Sequence, residues 1–217
     1  RKDVEWAEPS LVVTPEVDAI TPTDFLWPGL WDRQLIRVQD AWQYLQNAGL
    51  DPFGDPDILL AVWDSGVQST LGTPTNNDFS GTLSNGTAKV LTAFDFNNMV
   101  ANNDNPWDNH GSGVAGVAAA LANNPAPVAG PAFGLVGSAP NVQIMTVIGR
   151  WPYVDIEVAD QYIWMAGFDP HSPINGFPAP PPRGADVITC SLTPGADSVL
   201  SGTAQAALDF VTTFGRS

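Results

Sequence analysis

DILLAVWDSGV, residues 57–67, is the stretch that decides the fold. Its apolar residues run without a break from Ile58 to Trp63 and stop at Asp-Ser-Gly. A continuous apolar run of this length is typical of a strand buried on both faces, as in a parallel sheet. The glycine that follows allows a tight exit turn, so Asp64 is predicted to lie at the carboxyl end of a buried strand.

Similar segments alternate with helical ones along the rest of the chain. Further apolar strands are predicted at 89–96, 142–149 and 185–192, and helices at 38–48, from His110 to about Asn123, at 155–167 and at about 201–214. Alternation of apolar strands with helices favours an α/β fold with a central parallel sheet. Residues 1–23 show no periodicity and are predicted to form an extended amino-terminal arm, followed by one domain over 24–217.

Composition limits the classes of partner. Eight Lys and Arg against 23 Asp and Glu give a net charge of −15, which argues against nucleic acid or an anionic membrane surface as a partner. No apolar run approaches the roughly 20 residues of a membrane span. Asn85-Gly-Thr is a glycosylation sequon, and RKDVEWAEPS lacks the apolar core of a signal peptide. We therefore expect a secreted, extracellular protein whose targeting segment has been removed.

The stretch DNHGSGVAGVAAA, residues 108–120, sets His110 in front of a helix of small residues. Glycine in a solvent-facing helix costs about 1 kcal/mol relative to alanine, so these glycines predict close packing of the helix against the sheet. Such packing would bring His110 within hydrogen-bond reach of Asp64. A buried carboxylate beside an imidazole is two thirds of a Ser-His-Asp triad. Taken singly, however, Asp64 could be a turn residue and His110 a surface residue.

The flanking residues resemble those of the subtilisin-like serine proteases. AVWDSGV resembles their aspartate motif, HGSGVAGVAAA their histidine motif, GSAPNVQIMTVIG (137–149) the segment that follows, and GADVITCSL (184–192) their substrate-lining strand. PTDFLWPGLW (22–31) is similar to the lead-in of the kexin and furin branch. The resemblance implies a three-layer subtilisin-like fold, incomplete in this chain, with Asp64 orienting the base and His110 acting as the general base.

The resemblance also implies a cleft for a protein or peptide substrate. Ser191, Leu192 and Thr193 would line it, and an extended substrate would pair with this segment by backbone hydrogen bonds. The family usually has glycine where Thr193 stands, which alters the expected subsite. Kexin-like enzymes carry a second aspartate where this chain has Ser65, so cleavage after paired basic residues is not implied.

The family's nucleophile motif, Gly-Thr-Ser-Met/Ala-Ala, does not occur in these 217 residues. SGTAQAA (201–207) is superficially close, but it places Ala204 at the nucleophile position and reads as a helix start. We therefore expect a serine endopeptidase of which this chain is the amino-terminal portion, with the nucleophilic serine and the oxyanion asparagine on a second polypeptide chain or on a missing carboxyl-terminal part. The alternative is a non-catalytic, protease-like peptide-binding protein.

A structural calcium ion is the cofactor that the kexin and furin resemblance implies. The matching residues are Asp24, Asp78, the carbonyl of Leu121 and the side chain of Asn124, which come from distant segments. Calcium takes carboxylate, amide and carbonyl oxygens of this kind, so an ion here would tie the amino-terminal segment to the domain. Without the resemblance, the same residues read as solvated acids and a helix-ending asparagine.

Overall fold

The computed structural model of the chain describes residues 20–68, 78–103, 109–124, 134–150, 154–170, 177–191 and 201–215. The predicted amino-terminal arm lies outside the described residues except for 20–23. Leu192 and Thr193, two of the three expected substrate-binding residues, also lie outside them.

Five strands and five helices make up the described fold. The strands are β1 (Leu59–Asp64), β2 (Val90–Asp95), β3 (Val100–Ala101), β4 (Gln143–Ile148) and β5 (Val187–Cys190). The helices are α1 (Trp31–Leu35), α2 (Val38–Asn47), α3 (His110–Ala119), α4 (Asp155–Met165) and α5 (Gly202–Phe214), and one 3₁₀ turn covers Trp27–Gly29.

The strands form one sheet in the order β3-β2-β4-β1-β5. All pairings are parallel except that between β2 and β3, which is antiparallel. The predicted α/β fold with a central parallel sheet is confirmed. β3 was not predicted, because two exposed residues carry no apolar pattern.

β1 shows how the sheet is covered on both faces. Its odd-numbered residues Leu59, Ala61 and Trp63 pack in a cluster with Trp164 and Met165 of α4. Its even-numbered residues Leu60 and Val62 pack in another cluster with Ala115 and Ala119 of α3. Because side chains of a strand alternate between faces, α3 and α4 lie on opposite sides of the sheet. The sheet between these two helices gives three layers, and α5 packs against α4.

α3 ends at Ala119, earlier than the predicted end near Asn123. The backbone of Ala120 is extended, and the amides of residues 137–139 donate to the carbonyls of Ala120, Val117 and Ala118. These amides satisfy carbonyls that would otherwise have no partner at a helix end. Tertiary hydrogen bonds therefore end the helix, and the alanine-rich sequence alone does not show this.

A third apolar cluster holds the amino-terminal segment on the domain. Trp27, Val38, Trp42 and Val136 are buried together. Trp42 also donates its indole N–H to the carbonyl of Ser138 at 2.9 Å. The segment before β1 is thus fixed to the loop that leads into β4. The described helices include none that is both long and apolar enough to cross a membrane.

Candidate active site

Asp64 is the last residue of β1 and lies inside the protein. Its side chain is 1% exposed, and its Oδ1 accepts a hydrogen bond of 2.7 Å from the backbone N–H of Ser65. β1 lies between β4 and β5, so hydrogen bonds on both sides fix the backbone that carries this carboxylate. The location at the carboxyl end of a parallel strand is where ligand and catalytic groups collect in α/β folds.

His110 is the first residue of α3, and the structure brings it against Asp64. Its Nδ1 lies 2.8 Å from Asp64 Oδ1. An ionised carboxylate can only accept, so the proton of a neutral imidazole lies on Nδ1 and Nε2 is left as the basic nitrogen. The His110 side chain is 56% exposed, which leaves its outer side accessible from the surface. The pair therefore has the arrangement of an oriented base that faces outward.

The small residues of α3 permit this contact. A Cβ added to Gly111 would lie 2.3 Å from the carbonyl oxygen of Gly66 and 3.0 Å from Asp64 Cβ. Only glycine allows the first turn of α3 to lie so close to the exit of β1. The glycine beside His110 is therefore a requirement of the approach, as the sequence predicted.

Ser65 joins the two elements in a way that the sequence did not reveal. Its side chain is buried, and its Oγ accepts a hydrogen bond of 3.1 Å from the backbone N–H of Gly111. The hydroxyl is thus turned toward α3. No sequence signal indicated this contact, because Asn109 precedes α3 and is a favoured cap residue, although among the described residues its side chain makes no cap hydrogen bond.

Ser191 was expected to line the substrate cleft, and Ser201 was expected at the start of a helix. Ser191 follows β5 and is exposed. Trp63 and Cys190 are register partners, so Ser191 lies level with Asp64 on the neighbouring strand. Ser201 caps α5, its Oγ accepting a hydrogen bond of 3.2 Å from the N–H of Ala204. SGTAQAA is therefore a helix start, as expected.

Hydrogen bonds among the residues expected at a metal site and their neighbours connect three segments: residues 23–24, Asp78 and residues 121–124. We call this group the clasp. Asp24 Oδ2 accepts a hydrogen bond of 2.7 Å from the N–H of Asn123, and Asn123 Oδ1 accepts one of 2.9 Å from the N–H of Thr23. Asn124 donates its side-chain N–H to Asp78 Oδ1 at 3.3 Å, and the carbonyl of Asp78 accepts the N–H of Leu121 at 2.8 Å.

Asn123 was missed by the sequence analysis. Its backbone is left-handed, with φ of 59°, which asparagine tolerates better than most residues. In that conformation its amide and its side chain bind Asp24 and Thr23 respectively. A second asparagine after Ala122 was the available signal.

The two carboxyl groups of the clasp are buried and unfavourably placed as ions. Asp24 is 3% exposed and Asp78 is 0% exposed, and burial raises the pKa of both. The negative charge of Asp24 raises the pKa of Asp78 further. Within the described part of the chain, Asp24 Oδ1 is buried and has no hydrogen-bond partner. A cation would relieve both effects, so the residues fit one.

The donor set is poor in acids, however. In the described ranges no group of three or more His, Cys, Asp and Glu side chains is placed to hold a metal ion. Any ion at the clasp would need amide and carbonyl oxygens beside the two carboxylates, which suits calcium and not zinc.

Comparison with known proteins gives the family. The model of the subtilase family matches residues 55–216. A thermophilic serine proteinase from Bacillus sp. (strain AK1) is 33% identical over 147 residues, which are 66% of this chain and 29% of that protein. The chain thus spans less than a third of this curated relative.

Solved structures of proteases are also similar. MycP1 with its amino-terminal propeptide removed has a TM-score of 0.49 at 19% identity, covering 83% of this chain and 44% of that one. A protease of Pseudoalteromonas arctica PAMC 21717 has a TM-score of 0.48 at 23% identity, covering 89% and 56%. The family match extends from before β1 to the end of α5, and the chain belongs to the subtilase family.

Proposed function

We propose that this chain supplies the aspartate and the histidine of a serine endopeptidase that hydrolyses peptide bonds. The observation that carries the proposal is the 2.8 Å contact between His110 Nδ1 and the buried Asp64. Membership of the subtilase family supports the same chemistry. Asp64 orients the ring and stabilises the imidazolium, and His110 is the general base.

In the proposed mechanism, His110 Nε2 takes the proton of a serine hydroxyl as its oxygen attacks the peptide carbonyl. Collapse of the tetrahedral intermediate breaks the C–N bond, and the imidazolium gives its proton to the leaving amine. Water then attacks the acyl-enzyme by the same proton route, which frees the serine and the carboxylic acid product.

The nucleophilic serine and the oxyanion asparagine are proposed to come from polypeptide outside these 217 residues, on a second chain or on further sequence. The family's nucleophile motif is absent from the printed sequence. Within the described residues β5 pairs with β1 alone, so its outer edge is the sheet edge nearer Asp64. Polypeptide added at this edge would be well placed to bring a serine to His110.

The substrate is proposed to bind as an extended strand along Ser191, Leu192 and Thr193. Ser191 is exposed and level with Asp64, which supports this placement. Backbone hydrogen bonds would hold the substrate, and the side chain of Thr193 would narrow one subsite relative to glycine.

A structural calcium ion is proposed at the clasp, held by Asp24, Asp78, the carbonyl of Leu121 and the side chain of Asn124. The buried carboxyl groups and the unpartnered Asp24 Oδ1 support it. Calcium there would neutralise charge and fasten the amino-terminal segment, with no step in peptide hydrolysis.

Placement in the kexin and furin branch and secretion are proposed on sequence grounds. The branch is supported by the stretch PTDFLWPGLW (22–31). Recognition of paired basic residues is not expected, because Ser65 stands where kexin-like enzymes carry a second aspartate. Cleavage-site profiling with a peptide library tests the consequence of Ser65, because a preference for paired basic residues would contradict it. Fractionation of the native culture tests secretion, and recovery only inside cells would contradict it.

The central experiment uses the native protein with every polypeptide that co-purifies. His110→Ala should abolish peptide hydrolysis and labelling by a serine-directed fluorophosphonate, with folding retained. His171→Ala, which replaces the only other histidine, is the matched control and should leave both unchanged. Undiminished hydrolysis by His110→Ala would refute the proposal.

The same reagent separates an enzyme from a peptide-binding protein. Labelling of a co-purifying polypeptide supports the peptidase. Peptide binding without any labelling or turnover would favour the protease-like binder. Denaturing mass spectrometry that finds only one ~23 kDa species, with terminal sequencing that shows no further residues, would contradict a second source of serine.

A further inference from the structure

We propose that Ser65 is a positioning residue that holds Asp64 and His110 in register with each other. The inference rests on the proposed function, since it concerns the same pair. The resemblance does not imply this role. In kexin-like enzymes the residue at the position of Ser65 bears on the choice of substrate.

The first link is from Ser65 to the carboxylate. Its backbone N–H donates to Asp64 Oδ1 at 2.7 Å, and this oxygen is the one that His110 Nδ1 contacts at 2.8 Å. The amide thereby fixes the orientation of the carboxylate toward the ring.

The second link is from Ser65 to the helix that carries the ring. Gly111 is the second residue of α3, and its N–H is one of the amides that helix geometry leaves without a partner in the helix. A residue just before a helix usually accepts such an amide, but among the described residues the Asn109 side chain makes no cap hydrogen bond. Ser65 Oγ accepts the N–H of Gly111 instead, from 46 residues away.

Burial makes this cap costly to lose. Ser65 is 2% exposed, and Gly111 is buried against the carbonyl of Gly66. Water could not readily replace the hydroxyl, so its removal would leave a buried amide without an acceptor. α3 would then shift or fray at its first turn, which is the turn that contains His110. A small displacement of a catalytic group is enough to slow a reaction strongly.

The chain offers a close control in Ser112. Its Oγ accepts a hydrogen bond of 2.9 Å from the N–H of Gln68. This bond also joins the segment after β1 to the first turn of α3, and it also links a serine hydroxyl to a backbone amide. It differs because the amide that Ser112 accepts belongs to Gln68, after β1, whereas the amide that Ser65 accepts belongs to α3.

The test compares Ser65→Ala with Ser112→Ala by two measurements. In the chain itself, NMR follows hydrogen exchange of the Gly111 amide and the imidazole Nδ1–H signal of His110, assigned with His171→Gln. In the native enzyme, steady-state kinetics separates kcat from KM. We expect Ser65→Ala to speed Gly111 exchange about tenfold, to weaken the Nδ1–H signal and to lower kcat about tenfold with little change in KM. Ser112→Ala should change none of these.

The outcomes distinguish this inference from the proposed function. Wild-type exchange and Nδ1–H signal in Ser65→Ala, or equal losses in Ser112→Ala, would overturn the positioning role. Turnover by His110→Ala would overturn the proposed function while the NMR measurements still judge Ser65. If Ser65→Ala does not fold, Ser65→Thr keeps an acceptor and should retain Gly111 protection, and loss of that protection in folded protein would overturn the role.

Discussion

The contact between Asp64 and His110 joins one buried and one exposed side chain. Asp64 is 1% exposed and His110 is 56% exposed. The carboxylate is held by the sheet, while the imidazole can meet other molecules. If both side chains were buried, the carboxylate could still orient the imidazole, but no substrate or serine hydroxyl could reach it.

Asp64→Asn tests the role of the carboxylate at this scale. The carboxamide has almost the same shape but can donate to Nδ1, which would move the imidazole proton to Nε2. We expect a loss in kcat on the order of 10⁴-fold with folding retained. Steady-state kinetics of the native enzyme measures it, with thermal unfolding as the folding control. A loss below tenfold would contradict the role.

Lys89 is a buried charge unrelated to the active site. It is 0% exposed, and its Nζ donates to the carbonyls of Pro140 at 2.8 Å and Val142 at 2.6 Å. Burial lowers the pKa of Lys89 from 10.5 to about 7. Between these values the unfolded chain binds a proton that the folded chain lacks, so the free energy of unfolding rises with pH.

Lys89→Met should remove this contribution. We expect wild type to gain stability relative to Lys89→Met as the pH rises from 7 to 10, since the folded pKa is about 7. The slope for one group cannot exceed about 1.4 kcal/mol per pH unit. Urea unfolding at several pH values measures it. A constant difference between the two proteins would show that the folded pKa of Lys89 is not lowered.

The roles of site residues could be predicted where the adjacent sequence has a recognisable pattern, and could not be predicted elsewhere. Asp64 ends an apolar run and His110 begins a small-residue helix, so both were identified. Ser65, Asn123 and Lys89 act through contacts with segments 46, 99 and 51 residues away. No local pattern encodes such contacts.

At the scale of elements, α3 depends on which of its glycines faces the sheet. Gly111→Ala would place a Cβ 2.3 Å from the Gly66 carbonyl, whereas a Cβ at the exposed Gly113 meets nothing within 4 Å. We expect Gly111→Ala to destabilise the fold by about 1–3 kcal/mol. Gly113→Ala should stabilise it by about 0.5–1 kcal/mol, because alanine favours a helix.

Chemical denaturation of the two variants measures this difference. The pair is well matched, since both changes add one methyl group to the first turn of the same helix. Equal effects of the two substitutions would show that Gly111 does not lie as close to the Gly66 carbonyl as the structure places it.

Elements were predictable where apolar residues set their period. β1, β2, β4 and β5 lie within the predicted strands, and α2, α4 and α5 within the predicted helices. α1 escaped prediction because its five residues leave Trp31 and Leu35 mostly exposed, so no apolar face is visible. The end of α3 escaped because the amides of residues 137–139 determine it.

For the whole molecule, the clasp links the amino-terminal segment to the domain, and calcium is expected to strengthen it. An ion that binds only the folded state stabilises it by about 2.7 kcal/mol at a hundredfold excess over Kd. The Tm should therefore be higher in calcium than in a chelator. Asp24→Asn should lose this increment, and Asp209→Asn, on the exposed side of α5, should keep it.

Thermal unfolding of the three proteins with calcium and with chelator measures the effect. A Tm of wild type that does not depend on calcium would contradict the metal site. An increment retained by Asp24→Asn would place the ion elsewhere.

The class of the whole fold was predictable, but its strand order was not. Continuous apolar strands require cover on both faces, so the three layers follow from residues such as those of β1. The order β3-β2-β4-β1-β5 depends on contacts between segments far apart in sequence. The clasp likewise joins Asp24 to Asn123 across 99 residues.

The interior place of β1 has a consequence for heat inactivation. β1 pairs with β4 as far as Asp64 and with β5 as far as Trp63, so opening at the outer strand β5 leaves the backbone of Asp64 paired with Ile148. The carboxylate should thus stay in place in a warmed sample until the cooperative melt, and earlier losses should begin at the exposed imidazole.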